Sequence, residues 1–407
     1  SENFTNKSDG IDIRREIFVI NFLVKTFIKD SDDVDNPIVR QNYGIFAGIV
    51  GIICNVFLFA FKFVAGIITG AVSISADAFN NLSDAGSSVI TLIGFKLAGK
   101  QPDVEHPYGH GRMEYLSGLV VSFVIVIMAV ELFKSSFEKI LHPEAMEFSL
   151  LSVIILIGSI CVKMWMAFFN TVLGKKISSA AMKATATDSM SDCIATGVVL
   201  VSLFISSFSG YNIDGYAGAV VAIFVFLAGI DAANDTIQPL LGKPPEKEFV
   251  DAVAHCILED DKILGLHDMI VHDYGPGRVF VTVHAEVPYD MDIMSAHDIV
   301  DLAENRVAQR LNCWITIHMD PVVTDDEMVN ELKTVSKNVI DSIDPSISMH
   351  DFRVSRNPQR TNIIFDIVVP FGYPIPDEVL KKKIRDGIFE IKSNCYANIT
   401  VDKSYVL

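Results

Sequence analysis

Apolar residues are distributed unevenly along the chain, and most of them lie before Leu241. They form six long runs, Tyr43–Thr69, Val72–Leu97, Leu116–Phe137, Phe148–Leu173, Ser178–Phe208 and Ile213–Ile237. Each is near the roughly 20 residues that a helix needs to cross a bilayer, which predicts six transmembrane helices. The earlier apolar run Ile17–Ile28 is too short to span and is flanked by Arg14, Arg15, Lys25 and Lys29, the pattern of an interfacial or docking helix. The basic residues also set a direction. Arg14, Arg15, Lys25, Lys29 and Arg40 precede the first run, Lys96, Lys100 and Arg112 join the second to the third, Lys175 and Lys176 the fourth to the fifth, and Lys243 and Lys247 follow the sixth. The opposite loops hold little beyond Lys134 and Lys139, so both termini are expected to be cytoplasmic.

After Pro244 the period of the pattern changes. A helical run over Glu248–Leu258, strands over His267–His272 and Val279–Val287 about a Gly275-Pro-Gly277 turn, a helix over Ser295–Arg310 and a strand over Trp314–Met319 predict a small open sheet with helices on one face. The order then recurs. His267-Asp268 is echoed by His350-Asp351, Val287-Pro288 by Val369-Pro370, and Ile317-His318-Met319-Asp320 by Ile399-Thr400-Val401-Asp402. The chain therefore divides into a cytoplasmic N-terminal segment 1–42 with an amphipathic helix, a six-helix membrane domain 43–242, an α+β domain 243–323 and a second copy of it 324–407.

Composition adds a constraint. A formal net charge of −17, with much of the acidity after Glu246, argues against nucleic acid or anionic lipid as a partner. Cys54, Cys161, Cys193, Cys256, Cys313 and Cys395 are scattered without a CxxC pair, so they are read as packed free thiols rather than a disulfide or metal framework.

Charge inside an apolar helix is costly, on the order of 2.5–3.5 kcal/mol at helix centre even on a mild insertion scale, so ionisable residues there are candidates for function. The second run carries Asp77, Asn80 and Asp84 along one helical stripe, and the fifth carries Asp188 and Asp192 at the same four-residue spacing. Facing each other, Asn80, Asp84, Asp188 and Asp192 offer four oxygen ligands to one cation. An all-oxygen set suits Mn²⁺, Mg²⁺ or Ca²⁺ better than Zn²⁺, which more often recruits histidine or cysteine. Neighbouring carboxylates also titrate as a coupled set, which makes exchange of a cation for protons natural. Two further groups stand out. Asp103, His106 and His110 lie in one polar loop, either as a surface metal site or as a polar cap on the next helix. The first cytoplasmic copy holds His267, His284, His297, His318 and Asp320, with Asp320 two residues beyond His318 on the same strand face. The second copy keeps His350, Asp366 and Asp402 at the matching places, which reads as packing or dimerisation. No nucleophile–base pair, phosphate loop or cofactor motif marks an enzyme.

These features together resemble the cation diffusion facilitator family: six spans, a polar-xxx-Asp pair in the second and fifth, His106-Pro-Tyr-Gly-His-Gly-Arg-Met-Glu-Tyr115 after the second, and Leu266-His-Asp268 with Ile317-His-Met-Asp-Pro321 in the cytoplasmic part. The resemblance covers about Tyr43–Val322. It implies a homodimeric, proton-coupled exporter of divalent metal in the plasma membrane, with a ferredoxin-like cytoplasmic domain. By motif, it puts the transport site on Asn80, Asp84, Asp188 and Asp192, a loop site on Asp103, His106 and His110, and a cytoplasmic site on His267, His284, His318 and Asp320 with His297 nearby; Asp77 stays outside the ligand set. Zinc carriers of the family place histidine where Asp188 stands, so the similarity is to the manganese branch. An exporter of zinc, iron or cobalt is the alternative within the family, and a membrane-bound metal sensor the alternative outside it. Residues 324–407 depart from the pattern.

Overall fold

The computed structural model describes residues 20–404 apart from residues 35, 70–71, 143–149, 210–212 and 358–359. It divides into two compact units, one comprising residues up to Lys243 together with Tyr274–Arg278, the other Pro244–Asp273 and Val279–Leu407.

In the first unit a short helix α1 (20–27) precedes six long ones: α2 (Pro37–Thr69), α3 (Val72–Ala98), α4 (Met113–Leu141), α5 (Leu150–Lys176), α6 (Ala180–Ser209) and α7 (Asp214–Leu241). All except α3 are long and apolar enough to cross a membrane by length and composition. The exception follows from its sequence: α3 carries Asn80, Asn81, Asp84 and several serines, which lower its hydropathy. The α1 segment buries Ile20, Val24 and Ile28 in one core with Tyr43 of α2 and Phe169 and Leu173 of α5, so it docks as the i, i+4, i+8 spacing of its apolar face demands. The part of that expected helix before residue 20 lies outside the described residues.

Helices α2 and α3 lie against each other through small residues. A Cβ added at Gly48 of α2 would stand 2.7 Å from Leu92 Cβ, and one at Gly51 would stand 2.6 Å from Ser88 Oγ. Small residues at such a stripe let backbones approach, which is how apolar helices gain packing where lipid gives no hydrophobic drive between them. At the loop end of the bundle, the buried Glu114 accepts from Arg40, at 2.8 Å to Nη2 and 3.3 Å to Nε, tying the start of α4 to the start of α2.

The second unit begins with α8 (Lys247–Ile257), β1 (Gly265–Asp273), β2 (Val279–Pro288), α9 (Ile293–Leu311) and β3 (Trp314–Val322), and continues with α10 (Glu327–Ile343), β4 (Ser348–Asn357), β5 (Arg360–Pro370), α11 (Asp377–Ile391) and β6 (Cys395–Ser404). Each half is the same αββαβ unit with a three-stranded sheet, β1-β2-β3 or β4-β5-β6. In each, the first pair is antiparallel and the second parallel. Alternation decides what faces where. Val281, Val283 and Ala285 of β2 are buried under Val253 and Ile257 of α8 and Ile299, Ala303 and Val307 of α9. Ile363, Phe365 and Ile367 of β5 are likewise buried under α10 and α11. His284, Asp366 and their same-face neighbours are left on the open face of each sheet. Asp292 and Asp326 cap α9 and α10 through Ser295 N and through Met328 N and Val329 N.

All six cysteines are free. Cys161 is exposed and Cys54 half-buried, which corrects the expectation that all six are packed inside. Cys54 of α2 and Cys161 of α5 line one cavity with Ile53, Phe57, Val162 and Trp165.

Gly51→Val should push α3 away from α2 at Ser88, one turn from Asp84, and lower divalent-metal affinity of the purified chain at least tenfold. Gly158→Ala, where an added Cβ meets nothing within 4 Å, should leave it unchanged; the check is isothermal titration in detergent.

Candidate metal centres

Helices α3 and α6 bring Asp84, Asp188 and Asp192 together, with one carboxylate oxygen of each within 4.8 Å of the others. Asp188 and Asp192 are one turn apart on α6 and so share a face. The two helices are also joined by a hydroxyl contact, Thr91 Oγ1 to Thr185 Oγ1 at 3.0 Å, two turns after Asp84 and one turn before Asp188. Asp84 and Asp188 are 4 % and 5 % exposed. Three carboxylates at this depth repel one another, and water cannot screen them.

The charge that balances them comes from α5. Lys163, itself only 3 % exposed, donates to Asp84 Oδ2 at 2.7 Å and to Asp192 Oδ2 at 2.6 Å. Its ammonium stands between the two helices' carboxylates, where a bound cation would experience the same field. A second buried lysine, Lys62 of α2, lies within electrostatic reach of Asp84. Sequence reasoning missed Lys163. The signal was present, since Ile160-Cys-Val-Lys163-Met sits in mid-run and obeys the same rule that singled out the aspartates, but a lone lysine carries no ligand spacing.

Asn80 is exposed, whereas Asn81, three residues before Asp84, takes the buried side of α3. The side chain of Asp77 lies outside the described residues. The centre described is thus three carboxylates and a lysine rather than four oxygen groups.

In the loop between α3 and α4, Asp103 lies 3.4 Å from His106 Nδ1 through one oxygen and 3.4 Å from His110 Nε2 through the other. The histidine rings are 4.5 Å apart, and one ligand atom from each of the three residues falls in one group. The Asp103 Oδ1 atom also accepts from the backbone N–H of His106 at 2.7 Å, which holds its carboxyl below the usual range, with the two imidazoles adding to the effect. Half-exposed and preorganised, this loop could bind an ion at the surface.

On the open face of the first cytoplasmic sheet, β1, β2 and β3 align His267 with His284 and His284 with His318. Asp320 gathers them, with Oδ2 3.0 Å from His267 Nε2 and 2.8 Å from His284 Nδ1, and Oδ1 3.4 Å from His318 Nε2. His267, His284 and Asp320 form a compact ligand group, with His318 at its rim. His297 does not join them. It is exposed on α9, which covers the opposite face of the sheet, so the expectation that placed it near this site is corrected.

The chain matches two family models, the cation efflux transmembrane domain over residues 48–241 and the cation efflux protein cytoplasmic domain over residues 245–322. It is 34 % identical to an uncharacterized transporter of Methanocaldococcus jannaschii over 275 residues, which is 67 % of this chain and 97 % of the relative. Over 275 residues it is 26 % identical to the manganese efflux system protein MneS of Bacillus subtilis, covering 67 % of this chain and 94 % of that protein. The cation-efflux pump FieF of Cronobacter sakazakii is 25 % identical over 254 residues, 62 % of this chain and 84 % of the pump. Residues 323–407 lie beyond both family models. Helical spans, a carboxylate cluster among them and a sheet that gathers histidines and an aspartate agree with these matches: the chain is a divalent-cation efflux transporter, not an enzyme, and belongs to the cation diffusion facilitator family.

Proposed function

We propose that this transporter exports Mn²⁺ from the cytoplasm in exchange for protons, as a homodimer in the plasma membrane with both termini cytoplasmic. The observation that carries the metal assignment is the donor set: Asp84, Asp188 and Asp192 converge with oxygen alone, without imidazole or thiolate, and hard to borderline-hard divalent ions suit such ligands. Similarity to a manganese efflux protein supports the same reading. Asn80, one turn before Asp84, supplies a fourth oxygen when α3 turns its outer side toward the ion. The metal enters from the cytoplasmic side, binds between α3 and α6, and leaves outward as protons take its place on the carboxylates. The loop group Asp103, His106 and His110 and the cytoplasmic group His267, His284, His318 and Asp320 bind metal outside the path and bias the cycle.

Lys163 gives this cycle a resting state. With no ion bound, its ammonium neutralises part of the cluster, and an arriving Mn²⁺ displaces it from Asp84 and Asp192 because two positive charges at one point outweigh one. The lysine therefore sets affinity as well as stability, holding the site weak enough to release its cargo.

Asp84→Ala and Asp188→Ala should each abolish Mn²⁺ flux in proteoliposomes, and unchanged flux in both would overturn the site. Asp188→His should move the metal ranking toward Zn²⁺ in a flux panel of Mn²⁺, Zn²⁺, Fe²⁺ and Co²⁺, and an unaltered ranking would contradict selection by ligand hardness. Lys163→Gln leaves the buried Asp84 and the half-buried Asp192 without their cation, so the metal-free chain should lose about 3–5 kcal/mol of stability. Saturating Mn²⁺ should recover most of that loss, with tighter binding than in the parent; thermal unfolding with and without Mn²⁺ reads both.

A further inference from the structure

The second cytoplasmic repeat looks depleted of metal ligands in sequence, since Asp366 and Thr400 stand where the first repeat has His284 and His318. Its place in the fold changes that. The open faces of the two sheets meet at His267 and His350, whose rings stack with centroids 4.8 Å apart. Beside this contact, His350 Nε2 lies 3.3 Å from Asp268 Oδ1 of the first repeat and 3.6 Å from Asp402 Oδ2 of the second. One ligand atom from each of Asp268, His350 and Asp402 falls within 4.8 Å of the others. The His350 side chain is only 10 % exposed, and its Nε2 atom is buried without a hydrogen-bond partner although it is aimed at two carboxylates. A buried imidazole nitrogen in that situation is costly unless something satisfies it.

The backbone shows why Asp268 reaches across. Both β1 and β4 bulge just after the histidine, and the following aspartate sits in the left-handed region, φ 51° at Asp268 and φ 50° at Asp351. A non-glycine residue held there at a bulge has its side chain re-aimed. The two aspartates then part ways. Two residues on, the second repeat has Arg353, which pairs with Asp351, whereas the first repeat has Ile270 and leaves Asp268 to face His350 and Asp402. Asp366, paired in register with His350, adds a further carboxylate at the edge. Burial, and then the nearby Asp268 and Asp366, push the Asp402 carboxyl above its ordinary range, a sign of crowded negative charge.

We propose that Asp268, His350 and Asp402 form a divalent-cation site that bridges the two tandem repeats, adjacent to the His267–His284–Asp320 group. One imidazole and two carboxylates make it richer in oxygen than its neighbour, suited to Mn²⁺ or a similar borderline cation. Because its ligands come from both repeats, a bound ion fixes one sheet against the other within a single chain. Removing either arm should release the ion.

The test is Mn²⁺ stoichiometry of the purified full chain in detergent, stripped with chelator and titrated with MnCl₂, read by equilibrium dialysis and by electron paramagnetic resonance. Asp268→Asn and Asp402→Asn should each lose one Mn²⁺ per chain and the dipolar broadening that two neighbouring Mn²⁺ ions produce. The remaining equivalents should persist in both, and Asp351→Asn should keep the full count. Full stoichiometry in either Asp268→Asn or Asp402→Asn overturns the proposal, and so does an equal loss in Asp351→Asn, which would reduce the effect to general disturbance of the repeats.

Discussion

The whole arrangement depends on balancing carboxylates where water cannot. Asp84 and Asp188 are buried in a helical bundle with Asp192 half-buried beside them, and Lys163 stands between the two helices that carry them. Removing a charge from water costs several kcal/mol in real proteins, and only a close opposite charge with good geometry repays it. That requirement explains why α2 approaches α3 through glycines, why α3 sacrifices hydropathy, and why a third helix, α5, contributes a cation. It also supplies the reason for transport. In the proposed cycle, a site that is expensive when empty binds its cargo by exchange, and the displaced ammonium competes with the ion to keep that exchange reversible.

Much of the fold was legible because it follows from periodicity. Long apolar runs gave the six long helices of the bundle, and the switch to alternation near Pro244 gave strands whose observed bounds differ from the expected ones by at most three residues. The tandem repeat was legible from three echoed segments, among them His267-Asp268 and His350-Asp351, which the sheets carry at equivalent bulges. Helical spacing also paired Asp188 with Asp192 and sheet alternation paired His318 with Asp320. What stayed hidden was anything that depends on which surfaces meet. Lys163 has no spacing partner in its own helix, so its role appears only when α3, α5 and α6 are assembled. His297 is near the cytoplasmic ligands in sequence, yet α9 covers the wrong face of the sheet. Asn80 and Asn81 are indistinguishable in composition, but a one-residue step around a helix decides which of them is buried.

The cytoplasmic part follows the same logic with a different partner for each charge. In the first repeat Asp320 is shared among three histidines. In the second, Asp366 and Thr400 replace two of those histidines, and Arg353 neutralises one aspartate while its absence in the first repeat leaves Asp268 available. Substitution at a few open-face positions thus turns two copies of one fold into non-equivalent halves. The apolar faces, built on Val281, Val283 and Ala285 in one copy and Ile363, Phe365 and Ile367 in the other, remain the same kind of core.

The central claim is that the cation between α3 and α6 takes the place of the Lys163 ammonium. Anomalous diffraction at the manganese edge from crystals of the full chain grown with Mn²⁺ tests it directly. The expected result is a peak bounded by Asp84, Asp188 and Asp192 with Lys163 Nζ withdrawn from Asp84 Oδ2 and Asp192 Oδ2. A peak elsewhere in the bundle, or manganese bound with both lysine contacts intact, would contradict it.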